Sequence, residues 1–388
     1  MEPLDNPIRP YAWGSRTAIA ELQGRPAPTE QPEAELWMGA HPDSPSTVGG
    51  VALTARIEGD PVGVLGADTV ARFGPRLPFL LKVLAAAEPL SLQAHPDSAQ
   101  AAAGFEAEEA AGKPRDAADR NYRDRYHKPE LMVAVEPCEA LCGFRDPAVS
   151  ADVLAGLRVA ALAPTVDALR AGEPGVALRD AVTGLLALGD SDRKALVADV
   201  VAAARAGSGP DLIVTLGQRY PTDLGVVLAT LLNHVRLEPG EAIWMPAGNM
   251  HAYLRGTGVE IMAGSDNVLR GGLTSKHMDV AELLRVLRFE VLADPVVRPR
   301  PLGPGLVTWP TPVEDFALHR AELAGGRVTL PGHGPRIVFC LRGEVRVDDG
   351  SGEVVLTGGQ AAFGAAGRTA SVAGSGEVYQ ATVAEAGR

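Results

Sequence analysis

The chain has 388 residues, which corresponds to roughly two to three domains at about 150 residues each. Lysine and arginine total 36 and aspartate and glutamate total 48, so the formal net charge is −12. This balance argues against a general nucleic-acid binder and against docking on an anionic membrane, because both need an excess of cations. A small anionic ligand stays possible, since a few local cations can hold one phosphate.

Neither a membrane anchor nor a disulfide framework is expected. No run of about 18 apolar residues is present, and the acidic N-terminal residues do not form the apolar segment of a signal peptide. The three cysteines, Cys138, Cys142 and Cys340, are too few and odd in number for a disulfide framework. We therefore expect a cytoplasmic protein, in which Cys138 and Cys142 are core thiols.

Residues 1–147 are rich in proline and glycine with short apolar runs, a texture that predicts strands and loops. One helix is predicted from Asp97 to Glu109, and residues 112–129 are predicted to be a polar loop. Residues 148–235 differ, because leucines and valines recur there at helical spacing. In that block we expect a helix capped by Ser191, a stop at residues 207–210, and a last helix from about Asp223 to Asn233.

Strand texture returns at Arg236, with one short helix predicted from Asp279 to Val286. The proline-rich residues 293–312 are interpreted as a connector, and residues 313–388 alternate apolar and polar side chains as an antiparallel β-module does. We thus predict a β-core formed by residues 1–147 and 236–292, a helical insertion at residues 148–235, and a C-terminal β-module at residues 293–388.

The sequence contains an internal echo. Adding 119 to Leu237, Gly240, Trp244, Gly248 and His251 gives Leu356, Gly359, Phe363, Gly367 and Ala370. The second copy keeps the turn glycines and an aromatic residue but has alanine in place of histidine. This pattern indicates one strand–turn–strand unit used twice, in which the first copy holds a ligand and the second is structural; chance similarity between glycine-rich hairpins is the alternative.

Candidate metal ligands occur in three separate stretches. Gln93 and His95 lie two apart, so a strand would place both on one face, together with Ser91. Glu130 stands where a polar loop enters an apolar strand, and His251 follows a Pro-Ala-Gly turn. Each stretch alone is more often structural, but two imidazoles, one carboxylate and one amide oxygen together suit Zn²⁺ and tolerate other divalent ions. His41-Pro42-Asp43-Ser44 is similar to the stretch at His95 but lacks the glutamine, and we interpret it as a loop.

A further polar stretch runs from Glu260 to Lys276. Ser265-Asp266-Asn267 lies between apolar flanks, and Arg270 precedes two glycines that allow the backbone to approach a ligand closely.

Taken together, these stretches resemble those of type I mannose-6-phosphate isomerases (phosphomannose isomerases). The chain departs from the family pattern at Tyr126, Gly271 and Ser275, none of which is an expected metal ligand. The residues that carry the resemblance are Asn6 to Ile8, Tyr11 to Gly14, Glu35 to Gly39, Leu77 to Lys82, Ser91 to Asp97, His127 to Glu130, Leu231 to Asn233, and His251 through Arg270.

The resemblance implies a mainly β fold: a cupin-type β-barrel (jelly roll) core with an α-helical insertion and a second, cupin-like β-module. It implies one Zn²⁺ per chain, or another divalent ion, bound by Gln93, His95, Glu130 and His251. It implies Arg270 as an active-site residue, in a pocket lined by Lys82, Ser91, His127, Lys128, Glu260 and Asp266.

The implied reaction interconverts mannose 6-phosphate and fructose 6-phosphate through an enediolate. It needs ring opening, removal of a proton next to a carbonyl, and its return to the adjacent carbon. The sequence leaves the general base open among His127, Lys128, Glu260 and Asp266, and Lys82, Lys128 and Arg270 are the expected phosphate ligands. The expected partner is a small sugar phosphate, without nucleic acid or membrane, and the chain is expected to be a monomer.

Three other interpretations are weighed against this one. A non-catalytic sugar-binding or regulatory cupin would keep the barrel but lose the polar residues, which are present here. A metal-dependent oxygenase would need redox-active iron, and its reaction gives no role to the side chains of Lys82, Lys128 and Arg270. A bifunctional enzyme with a nucleotidyltransferase module would need a glycine-rich nucleotide loop, which neither end of the chain shows.

Overall fold

The computed structural model describes residues 1–385. Antiparallel strands form two large sheets that pack on one another, and a block of helices covers part of the outer surface of the first sheet. The architecture is mainly β, as the sequence predicts. Among the described residues, no helix is long and apolar enough to cross a membrane.

The strands are β1 Glu2–Leu4, β2 Ile8–Arg9, β3 Glu35–Gly39, β4 Thr47–Val48, β5 Val51–Ala52, β6 Phe79–Ala86, β7 Leu92–Ala94, β8 Glu130–Ala134, β9 Cys138–Phe144, β10 Leu232–Leu237, β11 Ala242–Met245, β12 His251–Ala263, β13 Leu269–Gly272, β14 Val296–Val297, β15 Arg300–Gly303, β16 Leu306–Thr308, β17 Ala317–Leu330, β18 Arg336–Asp348, β19 Glu353–Thr357, β20 Ala361–Gly364 and β21 Ala370–Thr382.

The α-helices are α1 Ala18–Leu22, α2 Leu53–Gly59, α3 Pro61–Leu65, α4 Ala67–Phe73, α5 Ser98–Ala110, α6 Pro147–Gly156, α7 Ala163–Leu169, α8 Pro174–Leu186, α9 Asp190–Ala203, α10 Asp211–Arg219, α11 Gly225–Leu228 and α12 Val280–Val286. Short 3₁₀ turns occupy Ala160–Leu162 and Ala229–Leu231, and a π-helical turn occupies Ala204–Ser208.

The first sheet is built around the long strand β12. The first half of β12 pairs with β7 and β9; β13 lies beyond β7, and β10 lies beyond β9. The second half of β12 pairs with β6 and β8, and the strand order there is β14-β11-β8-β12-β6-β3-β2. The strand changes partners at Gly256, whose φ is 108°. A Cβ there would lie 2.7 Å from the Cys138 sulfur, so only glycine fits at this bend. One strand thereby belongs to two layers, and the inner face between them holds the polar residues.

The second sheet has the order β1-β20-β18-β21-β17-β16-β15, with β19 beside β18. Its apolar face packs on the outer face of the first sheet. Leu131 and Ile261 of the first sheet share one core with Trp309, Phe316 and Phe339 of the second. The C-terminal strands therefore lie directly behind β8 and β12, the strands that carry Glu130 and His251.

The internal echo corresponds to a structural repeat. Shifting β11 and β12 by 119 residues reproduces the bounds of β20 and β21 at both ends. The paired turn glycines also share left-handed backbone angles, with φ of 91° at Gly240 and 80° at Gly359, and 76° at Gly248 and 87° at Gly367. The second unit begins its long strand with Ala370 where the first has His251, so its strand order is kept without the imidazole.

The helical block packs on the outer face of β7, β9, β12 and β13. Leu92 and Ala94 of β7 lie in the same core as Leu154, Leu178 and Val200 of the helices. Because neighbouring side chains alternate along a strand, Gln93 points to the opposite, inner face. Covering one face of β7 with helices is thus what directs its polar residue inward.

Several local predictions differ from the structure. Helices α1 to α4 are absent from the sequence prediction, because they are short and interrupted by glycine and proline. Ser191 is not a cap, since α9 begins at Asp190 with Gly189 before it. The predicted helix to Asn233 ends early, and Asn233 lies in β10, where its amide donates to the carbonyls of Cys142 and Leu292 at 3.1 and 2.9 Å. The connector at 293–312 contains β14, β15 and β16.

The helix predicted from Asp97 is confirmed, with Asp97 as the N-cap of α5. Its carboxylate accepts from the Gln100 amide N–H at 2.9 Å, while the Gln100 side chain accepts from the Asp97 N–H at 3.0 Å. We expect Asp97→Ala to lower the free energy of unfolding by about 1 kcal/mol, because the Gln100 N–H loses the carboxylate that caps it. Urea denaturation measures this, with Asp97→Ser as the control that keeps a capping oxygen. Equal stability of the alanine and serine variants would contradict the assignment.

Candidate active site

The central group of the site is formed by His95, Glu130 and His251, all buried at one end of the first sheet. The Nε2 atoms of His95 and His251 lie 3.5 and 3.1 Å from the two oxygens of Glu130. Both Nε2 atoms and Glu130 Oε2 are buried without a hydrogen-bond partner. Buried polar atoms are rarely left in this state, so the three atoms fit a group that binds a cation between them.

The orientation of each imidazole is set by a backbone carbonyl. His95 Nδ1 lies 2.7 Å from the Asn267 oxygen, and His251 Nδ1 lies 3.1 Å from the Asn249 oxygen. A carbonyl can only accept, so each Nδ1 carries a proton, and in the neutral ring it is Nε2 that offers a lone pair. This is the arrangement of a metal-ligating histidine supported by a second hydrogen bond.

Burial and nearby charges set the pKa values of His95 and Glu130 so that both side chains can bind a metal. Burial, with the nearby Lys128 ammonium, lowers the pKa of His95 to about 4, so its ring is neutral at neutral pH. Burial acts to raise the pKa of Glu130, but Lys128, whose Nζ lies 2.9 Å from Oε1, and the imidazoles hold that pKa well below its ordinary value. The donor set is therefore two imidazoles, of which that of His95 is neutral, and one carboxylate.

Strand register places Gln93 beside this group. In β7, Gln93 is paired with His251 of β12 on one side and with Arg270 of β13 on the other. Residues opposite each other in antiparallel strands point to the same face, so Arg270, Gln93 and His251 form a row on the inner face. Ser91 is half-buried just before β7, two residues before Gln93, so it is expected to face the same side.

Lys82 lies at the centre of a buried ionic group. Its Nζ is 3.2 Å from Glu260 and 3.7 Å from Glu35, and Glu260 also accepts from the Tyr253 hydroxyl at 2.5 Å. Burial acts to lower the pKa of Lys82, but the two carboxylates outweigh it and raise that pKa, so the side chain is a cation. Burial raises the pKa of Glu260 even though Lys82 opposes the shift.

We expect Lys82→Met to lower the free energy of unfolding by about 3–5 kcal/mol, because it leaves two buried carboxylates without their cation. Chemical denaturation measures the change. The double variant Lys82→Met/Glu260→Gln should regain part of the loss, since one uncompensated charge is removed with the lysine. Lys194→Met, which breaks an exposed ion pair on α9, is the control and should change stability by less than about 1 kcal/mol. A small loss at Lys82 would contradict the role of this ion pair.

Lys128 and His127 point in opposite directions. Lys128 joins Glu130 on the inner face, whereas His127 Nε2 lies 2.9 Å from Asp315 Oδ2, behind the strand. Asp315 is buried next to Phe316, which lies in the core between the two sheets. The structure thus brings His127 to the C-terminal module through Asp315, rather than to the group formed by His95, Glu130 and His251.

Asp266 lies in the turn between β12 and β13, and its carboxylate is 22% exposed. Burial acts to raise its pKa, but a hydrogen bond with His41 and the charges of Lys128 and Lys82 lower it to about 2. Its backbone N–H donates to Asp124 at 2.8 Å, which holds the turn against the polar loop before β8. Asp266 is therefore an ionised, partly exposed carboxylate near the Lys128 cation.

Arg270 belongs to a second group of cations, with Arg123 and Lys276. Burial lowers the pKa of Arg270, and repulsion from Arg123 adds to the effect. Burial and the charges of Arg270 and Arg123 lower the pKa of Lys276. Within residues 1–385, none of these three side chains forms an ion pair with a carboxylate. The positive charge of this cation group, Arg123, Arg270 and Lys276, is thus free to bind an anion.

Sequence reasoning missed several of these residues. Glu35, Tyr253, His41, Asp315 and the pair Arg123 and Lys276 gain their roles only through contacts between distant segments. Glu35 and Tyr253 stand in stretches that carry the family resemblance, which is the signal that could have found them. Arg123 and Lys276 are unremarkable charged loop residues in the sequence, and only their unpaired charge distinguishes them.

A cupin-like pair of β-modules, one of which holds a buried His–Glu–His group beside unpaired cations, defines a metal-binding protein for a small anionic ligand. Residues 1–147 match the family model of the type I phosphomannose isomerase catalytic domain. The chain is 39% identical over 374 residues to the mannose-6-phosphate isomerase of Escherichia coli (strain K12), covering 94% of this chain and 95% of that protein. It is 40% identical over 372 residues to that of Salmonella typhimurium, covering 94% of each. The chain belongs to the type I mannose-6-phosphate isomerase family.

Solved structures agree with this assignment. The mannose 6-phosphate isomerase from Salmonella typhimurium, bound to its substrate fructose 6-phosphate and a zinc atom, superposes with a TM-score of 0.92 at 38% identity. The match covers 99% of this chain and 100% of that one. The fold expected from the sequence is thereby confirmed.

Proposed function

We propose that this protein is a metal-dependent aldose–ketose isomerase that interconverts mannose 6-phosphate and fructose 6-phosphate. The observation that carries the proposal is the set of three buried, unpartnered ligand atoms of His95, Glu130 and His251. It occurs in a chain whose relative from Salmonella typhimurium binds fructose 6-phosphate and zinc.

Zinc is the metal that the donor set fits, with His95, Glu130 and His251 as ligands and Gln93 as the neutral fourth ligand. One ion per chain satisfies all three unpartnered atoms. When bound, zinc supplies a Lewis acid that stabilises negative charge developing on sugar oxygens. The protein keeps these ligands suited to a metal: hydrogen bonds hold both imidazoles with a proton on Nδ1, and neighbouring charges keep Glu130 ionised.

The phosphate of the substrate is held by the cation group of Arg123, Arg270 and Lys276. The expectation that Lys82 and Lys128 share this task is revised, because carboxylates already offset their charges. Arg270 stands in the same row as Gln93 and His251, so a phosphate on its guanidinium would leave the sugar carbons beside the metal ligands. Lys82, Ser91, Lys128 and Glu260 then contact the sugar hydroxyls from the inner face.

Proton transfer between the two carbons of an enediolate needs a base that is ionised and reachable. Lys82 is protonated, both carboxylate oxygens of Glu260 are already paired, with the Tyr253 hydroxyl and with Lys82, and His127 faces Asp315. Asp266 is both ionised and partly exposed, and desolvation by a bound sugar would raise its pKa toward a useful range. We assign the proton-transfer role to Asp266, with Lys128 as the cation beside the reacting oxygens.

The rest of the chain supports this site. In this proposal residues 1–147 and 236–292 form the catalytic cupin core, residues 148–235 a helical insertion that backs β7 and β9, and residues 293–388 a structural module. The partner is the small sugar phosphate, with no nucleic acid or membrane, and the enzyme works as a cytoplasmic monomer.

A coupled assay with mannose 6-phosphate tests the proposal. We expect isomerisation to be lost after chelation and restored by adding zinc or another divalent ion. Activity that survives complete metal removal would refute the metal-dependent part. Binding of the sugar phosphate in calorimetry without any turnover would instead support a non-catalytic sugar-binding protein.

A further inference from the structure

His41 and Asp266 form a buried pair outside the metal-ligand group. His41 Nε2 lies 3.2 Å from Asp266 Oδ1, although His41 follows β3 early in the chain and Asp266 follows β12 much later. The His41 side chain is only 4% exposed. Its sequence pattern indicates a plain loop, which leaves the burial of this imidazole unexplained.

The hydrogen bonds of His41 fix its tautomer. The backbone N–H of Asp43 donates to His41 Nδ1 at 3.2 Å, and an amide N–H can only donate. Nδ1 is therefore the acceptor, and Nε2 carries the proton that is donated to Asp266 Oδ1. The imidazole needs no net charge for this, and its ring is held against Trp37 at a centroid distance of 4.7 Å.

This geometry does not fit a second metal site, although His41, Asp43 and Asp266 lie close enough to one another to suggest it. The lone pair of Nδ1 is used by the Asp43 amide, and Nε2 presents a proton to the carboxylate. The pair is a hydrogen-bonded dyad whose recipient, Asp266, is the carboxylate assigned above to proton transfer.

Other charged groups face Asp266 from the surrounding elements. Asp124 accepts from its backbone N–H, and the ammonium groups of Lys82 and Lys128 lie on the metal side. These lysines act through charge and are themselves paired with other carboxylates. His41 is the neighbour whose side-chain N–H faces Asp266 Oδ1, at 3.2 Å, so it is the group placed to set the direction of the second oxygen.

We propose that His41 is a positioning residue of the isomerase: it donates from Nε2 to Asp266 Oδ1, holding the carboxylate ionised with its other oxygen turned to the substrate. This inference rests on the proposed function. It predicts that the Nε2 donor matters for turnover and that the rest of the imidazole matters only for packing.

Two substitutions separate the nitrogen atoms of His41. In His41→Asn the side-chain oxygen can still accept from the Asp43 N–H, but the side chain is too short to reach Asp266. In His41→Gln the amide nitrogen extends to the place of Nε2. We expect His41→Asn to lower kcat by roughly 10- to 100-fold with KM changed less than about threefold, and His41→Gln to keep most of the activity.

The pH profile adds a readout that a structural role would not move. Loss of the His41 hydrogen bond raises the pKa of Asp266, so the acidic limb of the kcat profile of His41→Asn, which reports the enzyme–substrate complex, should shift upward by about one pH unit. His41→Gln should keep the wild-type limb. Zinc content, measured on both variants, should equal that of the wild type.

A double-mutant cycle with Asp266→Asn completes the test. If His41 acts through Asp266, adding His41→Asn to Asp266→Asn should cause little further loss. Additive losses, an unshifted profile, or a glutamine variant as impaired as the asparagine variant would overturn the proposal. A wild-type protein that does not isomerise mannose 6-phosphate would refute the proposed function instead, before any variant is compared.

Discussion

Replacement of Glu130 with glutamine is expected to abolish tight zinc binding and to lower kcat/KM for mannose 6-phosphate by about a thousandfold or more. Glutamine keeps the volume of the side chain but removes the negative charge that a divalent ion needs between the two imidazoles. A bound metal stabilises developing charge by several kcal/mol, and each 1.36 kcal/mol corresponds to roughly tenfold in rate. The Lys128 ammonium, which now pairs with Glu130, would also be left to repel the cation.

Metal content after dialysis, and the thermal shift on adding zinc, measure the first part of this prediction. Zinc should raise the melting temperature of the wild type and leave that of Glu130→Gln unchanged, since only a folded state that binds the ion gains stability. Glu136→Gln, at an exposed position shortly after the same strand, is the matched control and should behave as wild type. A Glu130→Gln variant that keeps its zinc and its turnover would refute the proposed ligand set.

Because side chains alternate along a strand, many residues of the inner face could be predicted from the sequence. Gln93 between Leu92 and Ala94 can only point away from an apolar core, and Glu130 marks the place where an apolar strand begins. The 119-residue echo likewise survives in the sequence because tight turns with positive φ require glycine at fixed positions.

Long-range pairing is what the sequence could not reveal. Lys82 and Lys128 were expected to hold phosphate because cations in a pocket suit an anion, yet each has a carboxylate partner supplied by another strand or by the strand that follows it. His127 was expected in the pocket, but an aspartate from the C-terminal module lies behind it. Such contacts depend on how β8, β12 and the second sheet stack, which no local pattern encodes.

The two β-modules contain the same strand–turn–strand unit, but only the first unit carries a histidine. Both use a long strand that pairs with neighbours on either side, and only the first begins that strand with an imidazole, at His251. In the second, Ala370 occupies this position and packs in an apolar core. The second module contributes its apolar face to β8 and its Asp315 to His127, so its role in the proposed enzyme is to support the strand that carries Glu130.

Replacement of Arg270 with alanine is expected to lower kcat/KM for mannose 6-phosphate by roughly a hundredfold, mainly through KM. A charge-assisted contact to a phosphate in a partly buried place contributes about 2–5 kcal/mol to binding, and a hundredfold corresponds to about 2.7 kcal/mol, within that range. Inhibition by inorganic phosphate should weaken in parallel, because that ion occupies the same cations. Arg346→Ala, an exposed arginine on β18 of the C-terminal sheet, is the control and should leave KM unchanged.

The stability of the same variant supplies the decisive second measurement. Burial lowers the pKa of Arg270 and that of Lys276, and repulsion among Arg123, Arg270 and Lys276 in the free protein lowers both further. Removing Arg270 should therefore leave the free energy of unfolding unchanged or higher, while the stabilisation by added fructose 6-phosphate falls. A structural arginine would show the opposite, with lower stability of the free protein and unchanged ligand binding. Wild-type KM and wild-type phosphate inhibition in Arg270→Ala would place the phosphate elsewhere in the pocket.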